Sequence, residues 1–316
     1  MIKLRKLGLT ALAGSLAATS AYAGALDVSG GASFKYVSVD ETEVSGQPFN
    51  TGKGITFAGS GEMDNGWNMN YSYTMTDAAF SSSYITLDMG DAGTIGFYNS
   101  SGATGISAYD DKMPTAGEEV WDDLDGQANG IAGITSDGTF GYTGTFAGLG
   151  VSASFNKNGS NEATGETAEA ESSKSLVLTS SSLVDGLEVG LGIGDKAGTT
   201  INNSVDQTIA YAKYTMGSVT MGIQRTDLDN AGATADVERN HIAISFAVNE
   251  DLSVSYGRSV VDFGTSTKVD QEDAGIAASY TMGSMTLAGF INSSDNVGGT
   301  SGTDDSVKEV SLAFAF

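Results

Sequence analysis

The chain ends on Val310-Ser311-Leu312-Ala313-Phe314-Ala315-Phe316, where large apolar residues stand at every second position with small ones between. This period of two constrains the fold more than any other feature. In an extended strand successive side chains leave opposite faces, so the segment presents one lipid-compatible face and one small or polar face. The pattern recurs along the chain. Trp67, Met69, Tyr71, Tyr73 and Met75 alternate with Asn68, Asn70, Ser72 and Thr74. Ile242, Ile244, Phe246 and Val248 alternate with His241, Ala243, Ser245 and Ala247, and Leu187, Val189, Leu191 and Ile193 alternate with Glu188 and glycines. Proline occurs only at Pro48 and Pro114, against 43 glycines, a balance that suits hydrogen-bonded strands joined by tight turns.

Counting these segments predicts an all-β chain of sixteen antiparallel strands, starting near residues 26, 53, 67, 82, 93, 138, 149, 174, 187, 206, 219, 237, 251, 273, 285 and 306. Short turns fall at Asp64-Asn65-Gly66, Gly90-Asp91-Ala92, Ala147-Gly148, Asp185-Gly186, Gly217-Ser218, Asn249-Glu250-Asp251 and Gly283-Ser284. Between them come longer polar loops at 40–52, 77–81, 100–137, 158–172, 195–205, 228–236, 262–271 and 293–304. Short connections at one rim and long ones at the other are the build of a transmembrane β-barrel, with periplasmic turns and external loops. A soluble sandwich has no cause for this asymmetry. No apolar run beyond the amino terminus approaches the length of a membrane helix, which leaves the closed barrel as the spanning solution. The return of Tyr214-Thr215-Met216-Gly217-Ser218 as Tyr280-Thr281-Met282-Gly283-Ser284 is read as two similar turns, not as a solenoid repeat.

Residues 1–23 read as a secretory signal peptide: Lys3, Arg5 and Lys6 precede an apolar stretch, and Ala21 and Ala23 suit cleavage before Gly24. Residues 24–316 then form the barrel. Removing the signal leaves 12 basic against 39 acidic residues, a net charge of −27. Such a surface repels phosphate backbones, so nucleic acid is not an expected partner and cations are. The absence of cysteine excludes disulfides and thiolate metal sites. No Gly-x-Ser-x-Gly motif stands between a strand and a helix, and the single histidine, His241, lacks partners at catalytic or zinc spacing, so no enzyme is predicted. Outward parity places Tyr36, Trp67, Tyr71, Phe97, Phe155, Tyr256, Tyr280 and Phe314 as interfacial girdles.

The signal peptide, the strand Leu26-Asp27-Val28-Ser29-Gly30-Gly31-Ala32 and the end Val310 to Phe316 together resemble the general diffusion porins of Gram-negative bacteria. The likeness is to the alphaproteobacterial type, in which Leu87-Asp88-Met89-Gly90-Asp91-Ala92 corresponds to the turn before strand five. The resemblance implies a sixteen-stranded barrel in the outer membrane, assembled as a homotrimer in outer-membrane lipid. It implies a third external loop folded into the lumen as an eyelet, and passive diffusion of small hydrophilic solutes. It also implies that the terminal aromatics Phe316 and Phe314 are an assembly signal read by the barrel-assembly machinery.

The candidate eyelet, 100–137, carries Asp110, Asp111, Glu118, Glu119, Asp122, Asp123 and Asp125, with Pro114 and Trp121 in the same stretch. Carboxylates at a constriction concentrate cations and repel anions, which predicts a cation-preferring pore. The family sets a cluster of wall arginines opposite these carboxylates, and this chain departs from that pattern. Lys35, Lys213, Arg239 and His241 have inward parity, whereas Arg225 and Arg258 have outward parity near a rim. Asp122, Asp123 and Asp125 offer oxygen donors that calcium would accept, without the spacing of an EF-hand, and no other cofactor is expected. Two alternatives share this composition: a substrate-selective channel, and a secreted calcium-binding adhesive β-protein.

Overall fold

The computed structural model describes residues 26–39, 47–77, 79–126, 130–134, 137–157, 172–198, 204–231 and 236–316. The signal peptide and its cleavage point lie outside them. The strands are β1 (Asp27–Val39), β2 (Phe49–Glu62), β3 (Asn68–Thr76), β4 (Ala79–Asp88), β5 (Thr94–Asn99), β6 (Thr139–Phe146), β7 (Leu149–Lys157) and β8 (Ser172–Ser180), followed by β9 (Leu187–Lys196), β10 (Val205–Met216), β11 (Val219–Asn230), β12 (Val237–Ala247), β13 (Leu252–Asp262), β14 (Gln271–Met282), β15 (Met285–Asp295) and β16 (Asp305–Ala315). Each begins within four residues of its expected start.

Every strand pairs antiparallel with its chain neighbours, and β1 pairs with β16 to close the barrel. Closure leaves no sheet edge, so the wall satisfies its own hydrogen bonds, as hydrocarbon demands. At the seam Tyr36 stands opposite Val310 and Lys35 opposite Ser311. The last residue completes the closure: the Gly30 N–H donates to the Phe316 carbonyl at 2.7 Å, and the Phe316 N–H donates to the Gly30 carbonyl at 2.9 Å. No helix among the described residues is long and apolar enough to cross a membrane.

One expected connection is corrected. Residues 77–81 are not a longer loop, because β3 runs to Thr76 and β4 resumes at Ala79, with Asp77 in the left-handed region at φ 56°. The register shifts between Thr74, opposite Ser82, and Met75, opposite Phe80. This bulge absorbs Ser81 and keeps Phe80 outward, where its ring lies 5.4 Å from Tyr73. The strand expected from residue 82 therefore begins three residues earlier, at Ala79.

The outer surface is apolar. All eight expected girdle aromatics are exposed there, beside Leu191, Ile193, Ile223 and Ile276. Cross-strand pairs such as Phe97–Phe140, with centroids 5.0 Å apart, tie adjacent strands on this face. Arg225 and Arg258 also face outward, as expected. Arg225 is ion-paired with Asp227 at 3.0 Å and with Glu238, and Arg258 with Glu272 at 2.5 Å. Pairing with these carboxylates offsets part of the cost of a charge on the outer face.

The inner face departs from a purely polar lining at two places. Val177 on β8 and Ile209 on β10 form one apolar pad with Ile106, and Ala277, Phe290 and Val307 on β14 to β16 form another with Ala116 and Leu124. Ile106, Ala116 and Leu124 belong to the connection between β5 and β6. That connection therefore lies inside the barrel.

Candidate functional site

The described residues of the third external loop, 100–126, 130–134 and 137–138, lie along the inner wall. Its outgoing limb is anchored in sequence by wall side chains. The Ser152 hydroxyl accepts from the Gly105 N–H at 2.8 Å, and that of Ser175 from the Ile106 N–H at 2.9 Å. Gln224 accepts from the Lys112 N–H at 3.1 Å and donates to the Asp110 carbonyl at 2.7 Å. Ser255 accepts from the Ala116 N–H at 2.9 Å, and Asp305 from the Asp125 N–H at 2.6 Å. The returning limb is held by Gln207, which accepts from the Ala132 N–H at 2.8 Å. Close approach requires glycine at Gly105: its φ is +64°, and a Cβ there would collide with the hydroxyls of Ser154 and Ser175.

These anchors lie on the wall from β7 round to β16. Across the lumen the inner face of β2 to β4 carries Thr56, Ser60, Asn70, Ser72, Thr74 and Tyr84, neutral over its middle, with Glu62 and Asp88 on the same face at the strand ends and a hydroxyl hydrogen bond of 3.0 Å between Thr56 and Thr74. One wall is thus neutral and polar across its middle. The other is covered by an acidic loop.

At the far part of the loop Trp121 turns toward the wall. The Arg239 guanidinium lies over its ring at 4.5 Å, and the His241 ring lies 4.2 Å from it, centroid to centroid. Asn292 holds the backbone on both sides, donating to the Glu119 carbonyl at 2.8 Å and the Asp122 carbonyl at 3.2 Å. Glu118, Glu119 and Asp122 flank Trp121, each offering a carboxylate oxygen within 4.8 Å of the others. Crowding has an electrostatic consequence. Partial burial, with the hydrogen bond to and charge of Asp111, pushes the Glu119 carboxyl up to about 8. Burial, with Glu119 alongside, pushes Asp122 up to about 6. Glu118 is raised by burial and by Asp122, and Asp111 is raised chiefly by burial.

Three of the inward wall bases are paired with wall carboxylates, and a fourth, Lys196, donates to the Ala132 carbonyl of the loop. Lys35 pairs with Glu309 at 3.0 Å, Lys213 with Glu188 at 3.1 Å, and Arg239 with Asp273 at 3.3 Å. Asp273 is fully buried and also accepts from Gln271 and Ser294, both at 2.8 Å. On the loop itself, the Lys112 ammonium sits over the Tyr109 ring at 4.7 Å.

Parity therefore placed Lys35, Lys213, Arg239 and His241 on the inner face, but the structure divides them. Lys35 and Lys213 are partly exposed, whereas Arg239 and His241 are each 2% exposed beneath the loop and do not border open lumen. His241 is accordingly not a solvated side chain. The expected donor trio Asp122, Asp123 and Asp125 is also not what comes together. Asp123 occupies a left-handed turn at φ 59°, and the backbone of Asp125 is tied to Asp305, while Glu118 and Glu119 join Asp122 instead.

Several residues that position the loop were not identified from the sequence: Val177, Ile209, Phe290, Val307, Gln207, Gln224, Asn292 and Asp273. A signal was present. Val177 interrupts the alternation within Leu176-Val177-Leu178, and Ile209, Phe290 and Val307 are large apolar residues on the lumen parity. An apolar residue facing a water-filled lumen implies that something covers it.

No curated protein sequence matches the chain. Among solved structures, a porin refined at 1.8 Å resolution superposes with a TM-score of 0.70 at 16% identity, covering 92% of this chain and 100% of that one. Two engineered variants of the Rh. blastica porin superpose with TM-scores of 0.68 and 0.67 at 16% identity, again over 92% of this chain and 100% of theirs. At such identity the likeness speaks for the sixteen-stranded fold. The sequence model of the Gram-negative porins matches residues 8–316, nearly the whole chain. The chain belongs to the Gram-negative porin family, and it is an outer-membrane channel protein and not an enzyme.

Proposed function

We propose that this porin passes small hydrophilic solutes with a preference for cations, and that Asp111, Glu118, Glu119 and Asp122 on the infolded loop form its constriction. The observation that carries this reading is the pairing of the inner wall. Lys35, Lys213 and Arg239 each have their own carboxylate, whereas Asp111, Glu118, Glu119 and Asp122 enter no ion pair within 4.0 Å among the described residues. A paired base contributes little net field at a distance, and an unpaired carboxylate in a narrow aqueous passage attracts cations. Asp110, Asp123 and Asp125 add negative charge to the same loop.

The crowding of Glu118, Glu119 and Asp122 is relieved by protonation or by a bound cation. Calcium, which takes several carboxylate oxygens, fits that donor set in kind. The Gram-negative porin assignment supports assembly as a homotrimer in outer-membrane lipid after export and removal of residues 1–23, with Phe316 and Phe314 as the assembly signal. The closed barrel and the family leave no place for a secreted adhesive protein.

Reconstitution in a planar bilayer under a potassium chloride gradient tests the reading. The expected reversal potential has the sign of potassium selectivity, and Glu118→Gln, Glu119→Gln and Asp122→Asn together move it toward zero. Anion selectivity in the wild-type channel would overturn the proposal, and saturable block by one solute class would replace diffusion with a substrate-selective channel.

A further inference from the structure

We infer that Trp121 and Arg239 form a latch that positions the acidic turn of the third loop, so that in this chain the deepest inward arginine acts through the loop and not on the permeating ion. The inference rests on the cation-preferring reading above and names what holds its charges in place.

Three observations converge on it. The first is where the cation is. Arg239 is 2% exposed, with its guanidinium 4.5 Å over the Trp121 ring and its charge balanced by the fully buried Asp273 at 3.3 Å. A desolvated guanidinium over an indole face is the strong form of the cation–π contact. The second is an incomplete hydrogen-bond set: among the described residues Arg239 Nε and Nη1 have no partner, and neither do the neighbouring hydroxyls Thr226 Oγ1 and Ser259 Oγ. Thr226 stands directly across the sheet from Arg239, and Ser259 directly across from His241. An arginine with two unused donors is held by its packing and its charge more than by hydrogen bonds. The ring above it therefore matters disproportionately.

The third observation is the spacing along the loop. Trp121 is bracketed by Glu118, Glu119 and Asp122, and Asn292 grips the carbonyls of Glu119 and Asp122 on either side of it. With the indole seated between Arg239 and His241, the same turn must present those carboxylates to the lumen. Without that seat, Asn292, the Leu124 pad and the hydrogen bonds of Ser255 to Ala116 and Asp305 to Asp125 remain, and these hold backbone at the two ends of the turn and leave the orientation of its side chains to the indole. The anchors at Ser152, Ser175 and Gln224 act on the earlier part of the loop, and that at Gln207 on its return.

Trp121→Ala and Arg239→Gln remove the two halves of the latch, the first without touching the wall. Loss of a cation–π contact shifts the docked-to-undocked ratio of the turn by roughly two- to thirtyfold. The expected results are a lower cation-to-anion permeability ratio, added sublevels in the single-channel current, and unchanged heat-modifiable migration of the barrel. Arg239→Lys, which keeps a cation over the ring, restores most of the ratio. In a Trp67→Phe background, where Trp121 is the sole tryptophan, Arg239→Gln shifts its emission to the red and raises quenching by acrylamide.

The absence of cysteine permits a clean rescue. A Cβ built at Gly117 lies 3.5 Å from the Cβ of Ala277, within the separation a disulfide spans. Gly117→Cys with Ala277→Cys, oxidised in the Trp121→Ala protein, re-tethers the turn and returns the permeability ratio, and reduction abolishes the return. Wild-type selectivity in both Trp121→Ala and Arg239→Gln, or an oxidised tether without effect, overturns the latch. If neutralising Glu118, Glu119 and Asp122 leaves selectivity unchanged, it is the cation-filter reading that fails, while the emission of Trp121 still reports on the latch.

Discussion

Glu119 is the residue at which burial, charge and function meet. Its carboxyl stands at about 8 because it is partly desolvated and hydrogen-bonded to Asp111, with Asp122 on its other side and Glu118 in the same cluster. A raised carboxyl is neutral below its own value and ionised above it, so the site gains a negative charge as pH rises through about 8. Cation preference is therefore expected to grow on the alkaline side of neutrality, with a further fall at acid pH as Asp122 protonates near 6. Reversal potentials measured across that range check it, and Glu119→Gln removes the alkaline step. Ile106 makes a different contribution. It is fully buried against Val177 and Ile209, and Ile106→Ala costs the loop about 2–5 kcal/mol of docking by lost transfer energy and a residual cavity. Faster proteolysis within the loop, with an intact barrel, is the outcome that limited digestion should show.

At the scale of elements, the strands answer to one rule and the third loop to another. Each strand is a period-two segment, and its starting residue was legible to within four positions because lipid on one side and water on the other impose the alternation locally. The connection at 77–81 is shorter than its sequence suggests because Ala79 and Phe80 extend β4 and the bulge at Ser81 breaks the period of two. The terminal strand closes the wall, with the backbone of Phe316 exchanging two hydrogen bonds with Gly30 and its side chain outside. Truncation before Phe316 removes both bonds and the aromatic end proposed as the assembly signal. A smaller assembled fraction in the outer membrane, read as loss of the heat-modifiable band, is the expected result. Truncation that leaves assembly at the wild-type level would set that role aside.

For the whole molecule the decisive quantity is an asymmetry of charge across the lumen. One side is a wall of hydroxyls and amides across its middle, and the other is a loop on which Asp111, Glu118, Glu119 and Asp122 enter no ion pair among the described residues, while Lys35, Lys213 and Arg239 are paired with wall carboxylates. The field of such a loop extends over about a Debye length, ~10 Å at 0.1 M salt and ~3 Å at 1 M. Selectivity should accordingly weaken as salt rises, while conductance per ion remains that of an open passage. Reversal potentials at fixed gradient ratio and increasing absolute concentration test this, and a preference independent of salt would instead require contact binding sites, such as a calcium ion held by Glu118, Glu119 and Asp122.

The sequence by itself determined the barrel: alternation, turn chemistry and the terminal strand are local consequences of a wall one residue thick between two solvents. It also exposed the acidic third loop and the scarcity of inward bases. Only the tertiary structure decided which carboxylates converge, since Glu118, Glu119 and Asp122 meet through a turn whose shape is set by Trp121 within it and by Arg239 and Asn292 on distant strands. It alone also placed Arg239 and His241 beneath that turn. Parity states which face a side chain takes. What covers that face depends on contacts more than a hundred residues apart in the chain, which no local period records.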